Sequence, residues 1–467
     1  MVMASASPPH VVIFPYMAVG HTLPLLDLSK ALSRHGLKIT IITTPSNAPC
    51  IHSMVSNDPQ ISLSIIPFPR VEELPEGCEN TACLPSMDLF VAFAKATKKL
   101  KVPFEGVLKE MSEAGCRPIC VISDFFLGWT LDSCRSLGIP RLVSHGMGLF
   151  SMAASKAACV RGPSISAMLD SDPVHFPELE IPFTLTKADL PDTLKTANGD
   201  DPWLQLLAEV GEADANSWGI IVNSFEEIEG EYVAALESFY MKAAKAWCVG
   251  PLLLFNEFEK KEKDQCCSNI KWLDKQLGAA VIYVSFGTQA HVTDMQMDEI
   301  ALGLEMAGHP FLWVIRSTTW SPPDGWAERV KERGLIVRNW AEQRRILAHP
   351  STGGFLSHCG WNSALESLSL GVPLLAWSMG AEQQLNAKFV AVGLGVGLLI
   401  PHGSEGGSMT VGCDVICNGV KKLMNGGEGK KARERAQALQ KMARQAVEKG
   451  GSSDKKLNEL IKSLTHK

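Results

Sequence analysis

The stretch Trp340–Gln383 reads WAEQRRILAHPSTGGFLSHCGWNSALESLSLGVPLLAWSMGAEQ. Gln343 to Ala348 has helical character, and His349-Pro350 ends it with a turn. A short apolar run, Gly354 to Ser357, reads as a strand. His358-Cys359-Gly360 makes a tight turn, and a second helix opens near Trp361. A second apolar run, Pro373 to Trp377, leads to the pair Glu382 and Gln383. Strand, turn, helix, strand is the pattern of a parallel α/β sheet. The turn is the place for chemistry. A helix N-terminus behind a glycine-containing turn presents unpaired N–H groups and a positive dipole end, which suit phosphate. His358, Asn362 and Ser363 add donors there. Glu366 lies one helical turn past Ser363, so its carboxylate can reach a ribose diol, and Trp340 offers a flat face to a base. These are the parts of a nucleotide diphosphate site. Plainer readings stand beside it: Ser363-Ala364-Leu365-Glu366 also fits a capping box, and a lone tryptophan is more often core than stacking platform.

Outward from this stretch, the 467-residue chain is 46% hydrophobic and 20% charged, ample for two domains with cores of their own. A net charge of -6 gives no support for nucleic acid or anionic membrane as partner. The 13 cysteines form no Cys-x-x-Cys pair. Cys116/Cys120 and Cys413/Cys417 have helical spacing without nearby histidines, which argues against a metal site. Free thiols fit a reducing compartment. MVMASASPPH has no basic or apolar region of a signal peptide, and no run is long enough to span a membrane, so the expectation is a cytoplasmic protein.

His10 to Pro15 (HVVIFP) reads as a buried parallel strand. The helix after it carries Leu25, Leu28, Ala31 and Leu32 on one stripe, and Lys38 to Thr43 is the next strand. His21 stands in the strand–helix turn, where ligands of such sheets bind. It suits proton transfer near neutral pH, and equally it could cap or pack the helix start. Asp124 ends another apolar run, Ile119 to Ser123. It could orient the imidazole of His21 or simply cap a helix. Ala280 to Phe286 (AVIYVSF) opens a second α/β pattern, and Gly287-Thr288 turns after it with a backbone and a hydroxyl suited to phosphate, or as a mere tight turn. Leu84–Leu100, Glu226–Tyr240 and 294–307 read as helices. The charged run 257–264, up to Cys266-Cys267, is the best linker in the chain.

The opening stretch resembles, nearly end to end, the signature box of the plant UDP-dependent glycosyltransferases of family 1. Trp340, Gln343, His358, Gly360, Trp361, Asn362, Ser363, Glu366, Glu382 and Gln383 stand at its motif positions. His21, Asp124 and a Ser-Phe-Gly-Thr element at Ser285–Thr288 match the family elsewhere, so the resemblance covers nearly the whole chain. It implies a GT-B fold, two Rossmann-like domains facing each other across a cleft: 1–250 for the acceptor, a linker at 251–268, 269–449 for the UDP-sugar, and 450–467 packing back on the first domain.

The resemblance also implies roles. His21 is the base and Asp124 its partner. Thr288, His358, Asn362 and Ser363 hold the diphosphate, Trp340 and Ala341 the base, and Gln343 and Glu366 the ribose. Trp361, Glu382 and Gln383 face the sugar, glutamine going with glucose, and Ser144 matches a small hydroxyl residue near it. His145 reads as an acceptor-pocket neighbour or, preferred here, a surface histidine. Phe14, Met87, Phe125, Met147 and Phe183 are candidates to line the acceptor pocket. No metal or cofactor is implied beyond UDP-glucose as donor substrate. The reaction implied is inverting glucosyl transfer to a flavonoid or other phenolic, by a monomer. A terpenoid acceptor, another UDP-sugar, or transfer onto an existing glycoside remains open. Glu342 and Ser378 replace common prolines, and Gly380 replaces a bulkier residue near the sugar, which bears on sugar choice. A silent UDP-sugar-binding protein is the alternative from another class; the intact His21/Asp124 pair speaks against it. A nicotinamide-dependent oxidoreductase lacks its full glycine fingerprint, since Gly393-x-Gly395-x-Gly397 has no helix at the needed spacing. A serine hydrolase lacks its G-x-S-x-G elbow.

Overall fold

The computed structural model describes residues 8–195, 200–255, 268–290, 292–317, 319–338, 340–401 and 410–466. The charged run 257–264 with Cys266-Cys267, and the first seven residues of MVMASASPPH, lie outside them. The chain divides into two compact units. One holds Met1–Leu149, Ala197–Glu257 and Ala446–Lys467; the other holds Phe150–Thr196 and Phe258–Gln445.

In chain order, strands β1 (His10–Phe14), β2 (Lys38–Thr43), β3 (Ile61–Ile65), β4 (Cys120–Asp124) and β5 (Arg141–Ser144) come first. A two-stranded antiparallel hairpin, β6 (Pro173–Val174) and β7 (Leu185–Thr186), follows, then β8 (Gly219–Val222) and β9 (Lys245–Cys248). The first unit's sheet is parallel in the order β3-β2-β1-β4-β5-β8-β9. Helices cover both faces of such a sheet, and its central strands β1 and β4 are buried along their whole length. On β1, Val11 and Ile13 feed one core and Val12 and Phe14 the other. The predicted stripe Leu25, Leu28, Ala31 and Leu32, on the helix Val19–Arg34, lies in the first of these cores. Leu457, Leu460 and Leu464 of the last helix, Ser452–Thr465, join the same core.

The second unit repeats the plan. Its strands are β10 (Val281–Ser285), β11 (Phe311–Val314), β12 (Gly334–Val337), β13 (Thr352–Ser357), β14 (Leu374–Ala376) and β15 (Gly397–Leu399). The sheet is parallel in the order β12-β11-β10-β13-β14-β15. Each sheet reverses its winding beside its first strand, at β1/β4 and at β10/β13. Open α/β sheets bind ligands outside the carboxyl ends of strands at such switch points.

Three expectations differ from the structure. Residues 150–196 group with the second unit, because Phe150 stacks on Phe389 at 5.0 Å and Phe183 packs against Phe150. The start of the expected linker, at 251–255, is a packed helical turn with Leu252 and Leu253 buried. Glu226–Tyr240 is not one helix: it breaks at Gly230 into Glu226–Glu229, a tight turn, and Val233–Ser238. No helix among the described residues is long and apolar enough to cross a membrane.

Candidate active site

At the first switch point, β1 and β4 lie side by side, with Phe14 opposite Ser123. The helix after β1 therefore carries His21 past the end of β4, which is Asp124. His21 Nδ1 lies 2.7 Å from Asp124 Oδ2. An ionised carboxylate only accepts, so Nδ1 carries the proton and the ring's lone pair is on Nε2. Asp124 Oδ1 accepts from the backbone N–H of Phe126 at 3.0 Å. The two readings left open for Asp124 therefore both hold, one oxygen each. The carboxylate is 2% exposed.

Behind it sits Arg141, which sequence reasoning missed. Its buried guanidinium donates to Ser123 Oγ, Thr130 Oγ1, Ser217 Oγ and the Asp124 carbonyl, at 2.6–3.1 Å. Burial lowers its pKa, and the charges of Asp214 and Asp124 oppose that fall. Ser144 ends β5 and pairs in register with Asp124. The small residue that abuts the imidazole is Gly146: a Cβ there would sit 3.6 Å from His21 Cε1.

His145 is not a surface histidine. It is 8% exposed, and its Nε2 lies 3.0 Å from Oδ1 of the fully buried Asp214. Tyr240 donates its hydroxyl to the same carboxylate at 2.8 Å. The ring of His145 packs on Phe125 at 4.6 Å. Phe14 lines no pocket; it is fully buried between Phe104 and Trp129. Met87, Phe125, Met147 and Phe183 are partly buried, and Phe183 belongs to the second unit.

At the second switch point, the helix Trp361–Ser369 opens with Gly360 as its N-cap. Ser363 is therefore inside the helix, and the capping-box reading fails. Instead Gln343 Nε2 donates to Ser363 Oγ at 2.9 Å and to Glu366 Oε2 at 2.8 Å. Tyr283 donates its hydroxyl to Gln343 Oε1, which fixes the amide's orientation. Burial, with the Glu366 charge adding to it, raises the Tyr283 pKa, so the phenol stays protonated. Arg344 Nε binds the other Glu366 oxygen at 2.7 Å. Arg344 was missed, although its place beside Gln343 was the available signal.

His358 follows β13, and Gly287, with φ +77°, follows β10. A Cβ on Gly287 or on Gly360 would come within 2.7 or 2.6 Å of His358 Nε2. Only glycines let the backbone close around this imidazole. Burial lowers the His358 pKa to about 4, against a smaller opposing effect of the Ser285 backbone, so the ring is neutral at physiological pH. Thr288 is partly buried in the same turn. Asn362 and Ser363 occupy the first turn of the helix, and the Trp361 indole is buried near Phe389. Trp340 is 50% exposed, so it is not core, and the Arg316 guanidinium lies 5.4 Å from its ring. The buried Ala341 accepts the Gln343 N–H with its carbonyl. Gln383 Oε1 accepts from the Met379 N–H at 2.9 Å. Glu382 caps the helix Gln383–Lys388 and accepts from Asn386 at 3.2 Å.

Comparison with known proteins matches residues 258–432 to the family described as UDP-glucoronosyl and UDP-glucosyl transferase, and residues 9–254 to the glycosyltransferase N-terminal domain. UDP-glycosyltransferase 90A1 of Arabidopsis thaliana is 40% identical, with 97% of this chain and 96% of that protein covered. Scopoletin glucosyltransferase of Nicotiana tabacum is 36% identical, with 98% of each covered. The chain belongs to the plant family-1 UDP-dependent glycosyltransferases. The crystal structure of Glycyrrhiza uralensis UGT73P12, complexed with glycyrrhetinic acid 3-O-monoglucuronide, superposes on this glycosyltransferase with a TM-score of 0.88 at 29% identity, covering 98% of this chain and 96% of that one. The fold is GT-B. Besides Arg344, sequence reasoning missed four residues of this glycosyltransferase that have distant partners: Arg141, Asp214, Arg316 and Asn386. Among these four, Asn386 alone carried a local hint, four residues past Glu382 on one helical turn.

Proposed function

We propose that this glycosyltransferase moves glucose from UDP-glucose, with inversion, to a hydroxyl of a flavonoid or other phenolic, giving a β-O-glucoside. The observation that carries the reading is the 2.7 Å His21–Asp124 pair at the first switch point. Its tautomer leaves Nε2 to take the acceptor's hydroxyl proton, and Asp124 stabilises the imidazolium that forms. The oxygen then attacks the anomeric carbon from the face opposite the leaving UDP, so the C–O bond to the acceptor forms as the bond to phosphate breaks. Trp340 stacks on the uracil beside Ala341, and Gln343 with Glu366 takes the ribose hydroxyls. His358, Thr288, Asn362, Ser363 and the helix N-terminus take the charge that grows on UDP. These groups do without a metal what a cation does elsewhere. Trp361, Glu382 and Gln383 face the sugar. Scopoletin glucosyltransferase, one of the similar proteins, supports glucose and a phenolic acceptor. Free thiols fit action in a reducing compartment such as the cytoplasm.

Gly380 favours a second reading for the donor. A Cβ there would meet nothing within 4 Å, and the glycine in place of a bulkier residue supports a looser choice of UDP-sugar. The test is incubation with UDP-glucose and a panel of flavonoids, simple phenols, terpenoid alcohols and their monoglucosides, followed by mass spectrometry and NMR of the anomeric proton. A hexose gain on a phenol, β-linked and lost in His21→Ala, is expected. Product with UDP-galactose or UDP-xylose alone would sink the glucose assignment. UDP binding with no product from any donor would favour the silent binding protein.

A further inference from the structure

We infer that Asn386 is a positioning residue that ties the grip on the diphosphate to recognition of the sugar. The inference rests on the donor-site reading above. Asn386 is fully buried on the helix Gln383–Lys388, and its carboxamide is used at both ends. Nδ2 donates to the carbonyl of Cys359 at 3.0 Å and to Glu382 Oε1 at 3.2 Å. Oδ1 accepts from the buried Ser151 Oγ at 2.6 Å. A carbonyl and a carboxylate only accept, so the amide's orientation is unambiguous.

What Asn386 holds on one side is a strained turn. Cys359 has φ +61°, a conformation that L-residues other than Asn and Asp rarely adopt. It lies between His358 and Gly360, so it aims both the imidazole and the first N–H groups of the helix Trp361–Ser369. Its own N–H donates to Ser357 Oγ at 3.1 Å, and its side chain packs with Ala376 and Ala387. Burial pushes its thiol pKa up to about 12, so it has no thiolate role at neutral pH. On the other side Asn386 holds Glu382, whose neighbour Ala381 also has positive φ, at 51°. Strained residues persist where surrounding contacts over-determine them, and here one side chain holds the Cys359 carbonyl directly and the carboxylate next to Ala381. An aspartate has the same shape, but it would turn an oxygen toward the Cys359 carbonyl and the Glu382 carboxylate and repel both.

The test measures Kd by calorimetry for UDP, UDP-glucose and UDP-galactose, so no acceptor is needed. The proteins are wild type, Asn386→Asp, Ser151→Ala and Glu382→Ala. In Asn386→Asp, UDP is expected to weaken by about tenfold or more, the scale of one displaced charge-assisted bond. Discrimination between the two sugars should fall to that of Glu382→Ala. Ser151→Ala frees the amide to rotate and should move both readouts the same way by less. A purely structural role would lower the melting temperature and leave the sugar ratio untouched. UDP affinity within twofold of wild type and an unchanged sugar ratio in Asn386→Asp overturn the inference. If that variant does not fold, the same null result in Ser151→Ala overturns it. If Glu382→Ala itself keeps the sugar ratio, the assignment of Glu382 fails, and the UDP arm still judges the Cys359 turn. Wild-type protein that does not bind UDP sinks the donor site and this inference together.

Discussion

Replacing Gly287 by alanine separates backbone strain from ligand binding. Gly287 has φ +77°, where an L-residue costs about 1–2 kcal/mol. The new Cβ would lie 2.7 Å from His358 Nε2 and 2.9 Å from Cε1, closer than real Cβ atoms come. The imidazole would have to retreat by roughly 0.7 Å to reach ordinary contact. Gly308 has the same φ of +77° with nothing within 4 Å of its Cβ, so Gly308→Ala carries the strain alone. Gly308→Ala is expected to lose about 1–2 kcal/mol in urea unfolding, and Gly287→Ala that much plus the cost of displacing His358. Only Gly287→Ala should lose UDP affinity. A hydrogen bond to a charged group is worth about 1.5–3 kcal/mol, so pulling the His358 N–H off the phosphate corresponds to about 10- to 150-fold in Kd. Calorimetry with UDP on the two variants reads the difference directly. Equal UDP affinity in both, within twofold, would refute the claim that His358 is held against the diphosphate.

Two further outcomes follow from the cited groups. With its folded pKa lowered from 6.5 to about 4, His358 makes the unfolded chain bind a proton that the folded chain does not between those values. Stability from this group is therefore lost as pH falls from 6.5 to 4, by at most roughly 3 kcal/mol. Urea unfolding across that window should show a shallower decline for His358→Gln than for wild type; equal slopes would remove His358 as the cause. Tyr240→Phe strips a hydroxyl from the buried Asp214 carboxylate. It should cost about 1.5–3 kcal/mol in unfolding free energy without changing UDP affinity, and a neutral variant would show that the carboxylate is satisfied without the phenol.

The strands were legible because parallel strands buried on both faces are continuous apolar runs, as HVVIFP and AVIYVSF are. The helix Asp294–Ala307 was legible from its periodicity. Glu226–Tyr240 misled because Ile228, Tyr232 and Leu236 keep a helical apolar spacing and are all buried, while the backbone leaves the helix beneath them at Glu229, where φ is -135°. Phe150 and Phe183 went to the wrong unit because Phe150, on which Phe183 packs, has its partner Phe389 more than two hundred residues away; nothing local records it. His145 looked like a surface residue because Asp214, which explains its burial, lies 69 residues on.

The turn at Cys359 shows why the parts of the site were readable in the sequence and their geometry was not. Local propensity argues against its backbone: a cysteine at φ +61° contradicts the preference of its own residue type. What specifies it lies elsewhere, in Asn386, Ala387, Ala376 and the Ser357 hydroxyl. The same holds for His358, whose lowered pKa comes from burial that depends on Gly287, 71 positions earlier. In each case apolar periodicity fixes where a strand ends, and that alone places His21, Asp124, Thr288 and His358 at two switch points. Which way a side chain then points, and in what protonation state, is decided by pairs of residues that no single stretch contains. Within Trp340–Gln383 only part of that information is present: Gln343 touches Glu366 inside the stretch, whereas Cys359 is held by Asn386, three residues beyond it.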